Sequence, residues 1–515
     1  MKPFLIHHFL ENSAEIFPRK TALIHGDARA GYAQINALAN SLAEWLISSR
    51  IKIGDRVVLI LENSLEYVIS YYGILKVGAV AVPLSSDIKP DGLKPLLQEL
   101  EPAAIISSSR FERLLKAVDP AQFKINFLML IKPKLKWQST KVNISAWDEI
   151  AANGHAQNHN LPIEKSDLAS IIYTSGSTGK PKGVMLSHEN IVSNTKSICA
   201  YLKLTDKDIQ MVVLPFFYVM GKSLLNTHFA VGAAVVINNK FAFPASVLKQ
   251  MEEERTTGFS GVPSTYAYLL HRSPLADYKN RLNSLRYCTQ AGGHMSRQIK
   301  KELREVLPDH TEIYVMYGAT EASARITYLE PDKFEEKIDS IGRAIPGVNI
   351  KIIDKDGGEV KAGHTGELLA SGGNIMLGYW KDRKASLRVL DNKWYNTGDQ
   401  AYEDEDGYHY IKGRKDNLIK VGGHRINTQE IEDVLMATGF VLETAVFGIP
   451  DKLLGNKLAA LITPRQKEIS ETIVLGASAK RLPKYKLPAS IKFTRSIPKN
   501  TSGKIDRDKC LELIL

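Results

Sequence analysis

The stretch "YTSGSTGKPKGVMLSH" (Tyr173–His188) packs three glycines, five Ser/Thr hydroxyls and two lysines into sixteen residues, directly after the apolar pair Ile171–Ile172. Gly176 and Gly179 lack a Cβ, so the chain there can take positive φ and turn backbone N–H groups toward an anion. Ser175, Ser177 and Thr178 add hydroxyl donors, and Lys180 and Lys182 add positive charge. The composition predicts a loop that holds phosphate. It is not the GxxxxGK[ST] nucleotide loop, because Gly179-Lys180 is followed by Pro181, so the helix geometry of that motif is not implied.

On both sides of this loop, short apolar runs alternate with helical patterns. "DRVVLILEN" (Asp55–Asn63) and "AAIIS" (Ala103–Ser107) read as buried strands, and "LEYVISYYGILKVGAVAVPL" (Leu65–Leu84) reads as a helix followed by a strand. The pattern resumes with "QMVVLP", "AAVVIN", "TEIYVMYG" and "NIKIID". Such alternation implies parallel sheets covered by helices. Toward residue 400 the texture changes. "DGGEVKAGHTGELLASGG" (Asp356–Gly373) is turn-rich and predicts β-hairpins, and "EDEDGYHYIKGRKDNLIKVGG" (Glu403–Gly423) has a D-G turn and then a polar, glycine-bearing junction. "NTQEIEDVLMAT" reads as a helix with Asn427 or Thr428 as N-cap and Glu430 in its first turn. The fold class expected is α/β: a large N-terminal domain (1–412) of parallel and mixed sheets covered by helices, with a β-rich subdomain. A junction at 413–416 leads to a small α+β C-terminal domain (417–515).

Bulk properties agree with a multidomain globular protein. A chain of 515 residues is too long for one core. Hydrophobic content of 44% with 24% charged residues is ordinary. The three cysteines (Cys199, Cys288, Cys510) are too few and too far apart for a zinc site or a disulfide framework, which suggests a reducing compartment. The first twenty residues contain no apolar run of signal-peptide length and read as a short amphipathic helix. No window approaches the ~18 apolar residues that span a bilayer, so a cytoplasmic protein without an integral membrane segment is expected. Net charge is +11, and from Gly413 onward 18 Lys and Arg face 11 Asp and Glu. That basic end attracts anions, but no nucleic-acid motif accompanies it, so nucleic acid is not an expected partner.

"YTSGSTGKPKGV" resembles the phosphate-loop signature of the adenylate-forming superfamily, which includes acyl-CoA synthetases, peptide-synthetase adenylation domains and firefly-type luciferases. "YGATEAS" (Tyr317–Ser323), "NTGD" (Asn396–Asp399), "GRKDNLIKVGGHRI" (Gly413–Ile426) and "PKNTSGKIDR" (Pro498–Arg507) follow in the family's order. The resemblance covers essentially the whole chain. It implies a mobile C-terminal domain and a reaction in two halves. A carboxylate attacks the α-phosphate of ATP to give acyl-AMP and pyrophosphate, and a thiol then takes the acyl group and releases AMP.

The resemblance also implies roles for particular residues. Thr174, Ser175, Gly176, Ser177, Thr178, Gly179, Lys180 and Lys182 would hold the β- and γ-phosphates. Thr320 and Glu321 match the family's Mg²⁺-associated pair, and a carboxylate is a hard oxygen ligand of the kind Mg²⁺ prefers. Tyr317, with Gly318 and Ala319, would lie against adenine. Asp399 would accept two hydrogen bonds from the ribose diol, with Arg414 beside it. Lys504 would enter the site for adenylation and bridge the carboxylate and the α-phosphate, as a compact charge on a long stem can. Asp416 matches the hinge, and Lys420 lies on the face that replaces Lys504 in the second half.

The acyl pocket is less defined. "LPFFYVMGKS" (Leu214–Ser223) resembles the family's LPLFHxxG, with Tyr218 at the usual histidine position. No acid stands near Tyr218 and Val219, which argues against an α-amino acid substrate. "GVPSTY" and "QAGGHMS" match pocket-wall segments and contribute Val262, Tyr266, Gly292, Gly293 and His294. With Met220 and Ala319 these suggest an apolar pocket for a fatty or aryl acid. His294 either reads a polar group of the substrate, packs, or touches the adenine side. The thiol expected is coenzyme A, whose phosphates the basic run "KRLPKYK" (Lys480–Lys486) would meet; the alternative is an acyl carrier protein, whose acidic surface would meet the same run and whose phosphopantetheine arm is the same nucleophile. A nucleotide-binding homologue without activity is disfavoured, because Thr320, Glu321, Asp399 and Lys504 are all present.

Overall fold

The computed structural model of the chain describes residues 4–151, 157–174, 181–414, 418–421, 424–451, 455–466, 468–500 and 503–515. Two large sheets form the N-terminal part. The first has eight strands, in the spatial order 378–379, 182–187, 168–174, 80–83, 56–60, 104–108, 127–131 and 143–146. From 80–83 outward its neighbours run parallel, while 168–174, 182–187 and 378–379 pair antiparallel at one edge. The second has nine strands, with 312–317, 287–290, 258–261, 209–212, 234–237 and 21–25 parallel in that order.

The helices Tyr32–Ser48, Leu65–Lys76, His188–Tyr201 and Val219–Ala230 contribute to one continuous core that draws residues from both sheets. Leu65–Lys76 is buried nearly all round, and the Ser64 side chain caps its start by accepting from the Tyr67 N–H. That all-round burial explains why "LEYVISYYGILK" shows little helical stripe in sequence. The N-terminal helix His8–Ile16 buries Phe9, Leu10 and Ala14, as the amphipathic reading expected.

The β-rich subdomain is a five-stranded antiparallel sheet of 348–353, 366–372, 390–391, 394–403 and 409–414. "NIKIID", read as one more strand of the helix-covered alternation, belongs here instead. It pairs antiparallel with Gly366–Gly372, and an isolated apolar run of this length does not reveal which sheet it joins. The D-G turn at Asp406-Gly407 lies where the sequence places it, with Gly407 at φ +81°.

The C-terminal part begins with the hairpin Leu418–Val421/His424–Asn427 and continues with helix Thr428–Met436. Asn427 is the N-cap, accepting from the Gln429 N–H at 3.0 Å. A three-stranded sheet (441–451, 455–464, 490–493) with helices Glu471–Ser478 and Arg507–Ile514 completes the expected α+β unit around its own core.

Candidate active site

The strands that flank the expected phosphate loop pair antiparallel, with Thr174 and Lys182 in register at the end where the chain passes from one to the other. Ser175, Gly176, Ser177, Thr178, Gly179 and Lys180 lie outside the described residues. Gly378 and Tyr379 add a short third strand beside this pair, opposite Met185 and Val184. That addition brings Tyr379 into the site. Its hydroxyl donates to Glu321 Oε1 at 2.8 Å, and the Lys182 ammonium sits 5.0 Å from its ring centroid. The Glu321 backbone is tied to the same segment, its carbonyl accepting from the Met376 N–H at 2.8 Å. Sequence reasoning missed Tyr379. "LGYW" carries no motif, and only the strand pairing makes its position significant.

Glu321 and Thr320 occupy a single 3₁₀ turn (Thr320–Ala322) after the parallel strand Glu312–Tyr317. The link needs Gly318. A methyl group there would stand 2.0 Å from the Ala324 carbonyl oxygen, so no larger residue fits without moving backbone. Tyr317 ends the strand, and its hydroxyl donates to Asp399 Oδ2 at 2.5 Å. Asp399 lies in the antiparallel strand Trp394–Glu403, in register with Arg414 of the next strand. Buried Tyr395 sits among these groups. Desolvation first, then the Glu321 carboxylate, Tyr379, Tyr317 and Asp399, push its phenol well above the ordinary range and keep it neutral. Three elements of separate origin thus set Tyr317, Glu321 and Asp399 around one point.

Val262, Met220 and Gly292 form a second wall. Gly292 has φ +84°, and a methyl group on it would lie 3.1 Å from Val262 Cγ1, 3.8 Å from Met220 Sδ and 4.0 Å from Lys504 Cε. Lys504 of the C-terminal part is therefore held over this wall. Gly293 follows, close to the Pro263 ring. Tyr218 is the N-cap residue of the helix Val219–Ala230, its ring 4.3 Å from that of Phe217. Gly221 lets the start of this helix fold onto Pro215, whose carbonyl oxygen would be 2.1 Å from an added methyl.

Two residues expected in the pocket lie elsewhere. Tyr266 is only 1% exposed, packs in the core against Phe259 and donates to the Thr289 carbonyl at 2.7 Å. At the fourth position of its helix it points inward, away from the wall that Val262 forms. His294 reaches out to the C-terminal part, with Nε2 2.9 Å from Asp433 Oδ1. Lys420 lies in the strand Leu418–Val421, and Asp416 falls outside the described residues.

The donor set suits a cation that arrives with its own ligands. Thr320 and Glu321 offer hard oxygens, and Tyr379 holds one carboxylate oxygen in place. Among the described residues no cluster of three His, Cys, Asp or Glu ligands gathers here, so phosphate oxygens would complete the coordination of a Mg²⁺ ion.

Comparison with known proteins gives the family. Residues 10–380 match the family of AMP-binding enzymes, and residues 430–504 match the AMP-binding enzyme C-terminal domain. A long-chain-fatty-acid–CoA ligase of Bacillus subtilis (strain 168) is 30% identical over 98% of this chain and 94% of its own. A medium-chain fatty-acid–CoA ligase of Escherichia coli (strain K12) is 30% identical over 97% and 88%. The crystal structure of the anthranilate CoA ligase AuaEII in complex with anthranoyl-AMP superposes with a TM-score of 0.89 at 26% identity, covering 99% of this chain and 97% of that one.

Proposed function

The chain belongs to the AMP-binding enzyme family, and from that premise we propose how its own residues divide the work of an acid–thiol ligase. The enzyme activates a carboxylic acid with ATP and passes the acyl group to coenzyme A. In the first half a carboxylate oxygen bonds to the α-phosphorus while the bond from that phosphorus to the bridging oxygen breaks, and pyrophosphate leaves. In the second the thiol sulfur bonds to the acyl carbon and AMP leaves.

Charge builds on the phosphates in the first half, and fixed donors stabilise it most where water is excluded. The strand pair that ends at Thr174 and Lys182 would present the loop between them to the β- and γ-phosphates. Tyr317, Gly318 and Ala319 would line the adenine side, while Asp399 and Arg414 take the ribose. Thr320 and Glu321 would hold Mg²⁺, which neutralises phosphate charge when bound. Lys504 would bridge the attacking carboxylate and the α-phosphate. The placement of Lys504 beside Gly292, against Val262, supports this reading. The second half would follow rotation about 413–416, with Asp416 as pivot and Lys420 replacing Lys504.

Val262, Met220 and Gly292 form an apolar wall, which favours a fatty or aryl acid, with Tyr218 proposed to border it at the start of the Met220 helix. The relatives act on acids of both kinds by name. Coenzyme A is favoured over a carrier protein for the same reason. In the run Lys480–Lys486, the exposed Lys480, Arg481 and Lys484 are the candidate face for its phosphates, while Lys486 is paired with Glu430. No helix among the described residues is long and apolar enough to cross a membrane, and the enzyme is proposed to work in the cytoplasm on a dissolved acid.

Pyrophosphate release across a panel of fatty, aryl and amino acids, with and without coenzyme A, tests the assignment. Slow release with one acid alone, accelerated to AMP turnover by coenzyme A, is the expected result. Release that coenzyme A never accelerates would transfer the thiol to a carrier protein, and release with amino acids alone would overturn the pocket reading.

A further inference from the structure

The helix Pro263–Arg272 begins at the acyl wall and runs away from it, and one of its faces meets the segment that leads to Lys504. Ser264 Oγ donates to the Gly503 carbonyl at 2.6 Å. One turn on, the Lys499 ammonium lies 5.0 Å from the centroid of the Tyr268 ring. A further turn on, Arg272 Nη2 donates to the Arg495 carbonyl at 3.2 Å, and its guanidinium also covers Tyr268 at 5.1 Å. Residues 264, 268 and 272 share one helical face, because side chains four apart stack along a helix. Their partners 503, 499 and 495 recede in equal steps, so the segment runs antiparallel along the helix for about 12 Å, at 1.5 Å per residue.

We propose that Ser264, Tyr268 and Arg272 form a docking rail that positions Lys504 for acid activation and for that half of the reaction only. The proposal rests on the role given to Lys504 above. The rail ends where the lysine begins. Lys499 and Ile505 pair antiparallel, and the Gly503 N–H donates to the Asn500 carbonyl at 2.9 Å. Gly503 stands at φ +77°, and a methyl on it would lie 2.9 Å from Val262 Cγ2 and 3.0 Å from Ser264 Oγ. Gly503 is thus seated directly on the first residues of the helix, with the lysine one residue further on, beside Gly292. Lys499 is also held from its own domain by an ion pair with Glu443, so the rail grips a segment that is already ordered. None of the three rail residues is placed against ATP or the acid. They act through Lys504 and are positioning residues.

The test compares Ser264→Ala, Tyr268→Ala and Tyr268→Phe in both half-reactions. Acid-dependent pyrophosphate release reads the first, and thioester formation from supplied acyl-AMP and coenzyme A reads the second. In Ser264→Ala, kcat for pyrophosphate release is expected to fall about tenfold for the lost hydrogen bond, with KM for ATP and acid unchanged. Transfer from acyl-AMP should keep its wild-type rate. Tyr268→Ala should behave likewise, and Tyr268→Phe should retain full activity, because the ring alone attracts Lys499. Should Ser264→Ala fold poorly, the two Tyr268 variants decide. Equal loss in both halves, a rise in KM without loss of kcat, or wild-type adenylation would each overturn the rail. Lys504→Ala separates the two ideas. If it abolishes adenylation while Ser264→Ala and Tyr268→Ala do not affect it, the rail is wrong and the lysine's role stands. If Lys504→Ala adenylates normally, the lysine's role is wrong and the rail falls with it.

Discussion

The hydroxyl of Tyr317 and the carboxylate of Asp399 meet at 2.5 Å, joining the end of a parallel strand to the middle of an antiparallel sheet. Tyr317 also packs against the β-rich subdomain's own core of Ile352, Leu368 and Ala401, so the contact helps tie that subdomain to the large sheets. In the proposed site the same carboxylate accepts from the ribose. Asp399→Asn turns an acceptor pair into one acceptor and one donor. KM for ATP should rise roughly tenfold to a hundredfold, since hydrogen bonds to a charged group are each worth about 1.5–3 kcal/mol. Tyr317→Phe keeps the ring and should lose only a few-fold. Initial rates of pyrophosphate release against ATP concentration measure both.

Tyr379 holds Glu321 by one oxygen, so its effect should appear through the metal. Tyr379→Phe is expected to raise the Mg²⁺ concentration for half-maximal activity several-fold, with little change at saturating Mg²⁺. Glu321→Gln should lose activity at every Mg²⁺ concentration. A metal titration of the initial rate distinguishes these, and identical titrations for wild type and Tyr379→Phe would remove the residue from the site.

Gly318 is required by backbone packing and not by ligand contact. Gly318→Ala forces its methyl against the Ala324 carbonyl, and relief of such a clash costs about 1–3 kcal/mol. A lowered midpoint of thermal unfolding is the expected outcome, together with reduced ATP affinity because Glu321 shifts with the turn. An unchanged midpoint would mean that the turn adapts freely.

Much of this was readable in the chain, and the limits have physical causes. The helix–strand pair at 65–84, the D-G turn at 406–407 and the Asn427 cap depend on local chemistry, and the structure has them where the pattern predicts. The strand "NIKIID" was assigned to the wrong layer because strand identity is local but sheet membership is set by distant partners. Tyr266 and His294 lie in segments that do form the wall, yet one side chain points into the core and the other toward Asp433. Side-chain direction depends on helix phase and on a partner 139 residues away. Tyr379 and the Ser264 face carry no signature, because each matters only through an element that packs against it.

Lys222 lies in the pocket motif but serves the core. It is 2% exposed, its ammonium has no hydrogen-bond partner among the described residues, and it sits 4.4 Å above the Tyr71 ring. Burial pulls its pKa from 10.5 to about 7. Between those two values the unfolded chain holds a proton that the folded chain releases, so folding stability gains as pH rises across that window. Lys222→Met should be more stable than wild type by about 1–4 kcal/mol near neutral pH, as for other buried charges replaced by apolar groups. That advantage should shrink toward pH 10. Denaturant unfolding of both proteins at several pH values measures it, and a constant difference would show that Lys222 keeps its proton when buried.

The central claim is that Lys504, beside Gly292 and Val262, serves acid activation alone. The most direct measurement compares wild type and Lys504→Ala in the two half-reactions: acid-dependent pyrophosphate release, and thioester formation from supplied acyl-AMP with coenzyme A. The first is expected to fall by about two orders of magnitude or more, as for loss of a preorganised charge at the reacting phosphate, while the second stays near wild type. Equal loss in both halves, or normal pyrophosphate release, would contradict it.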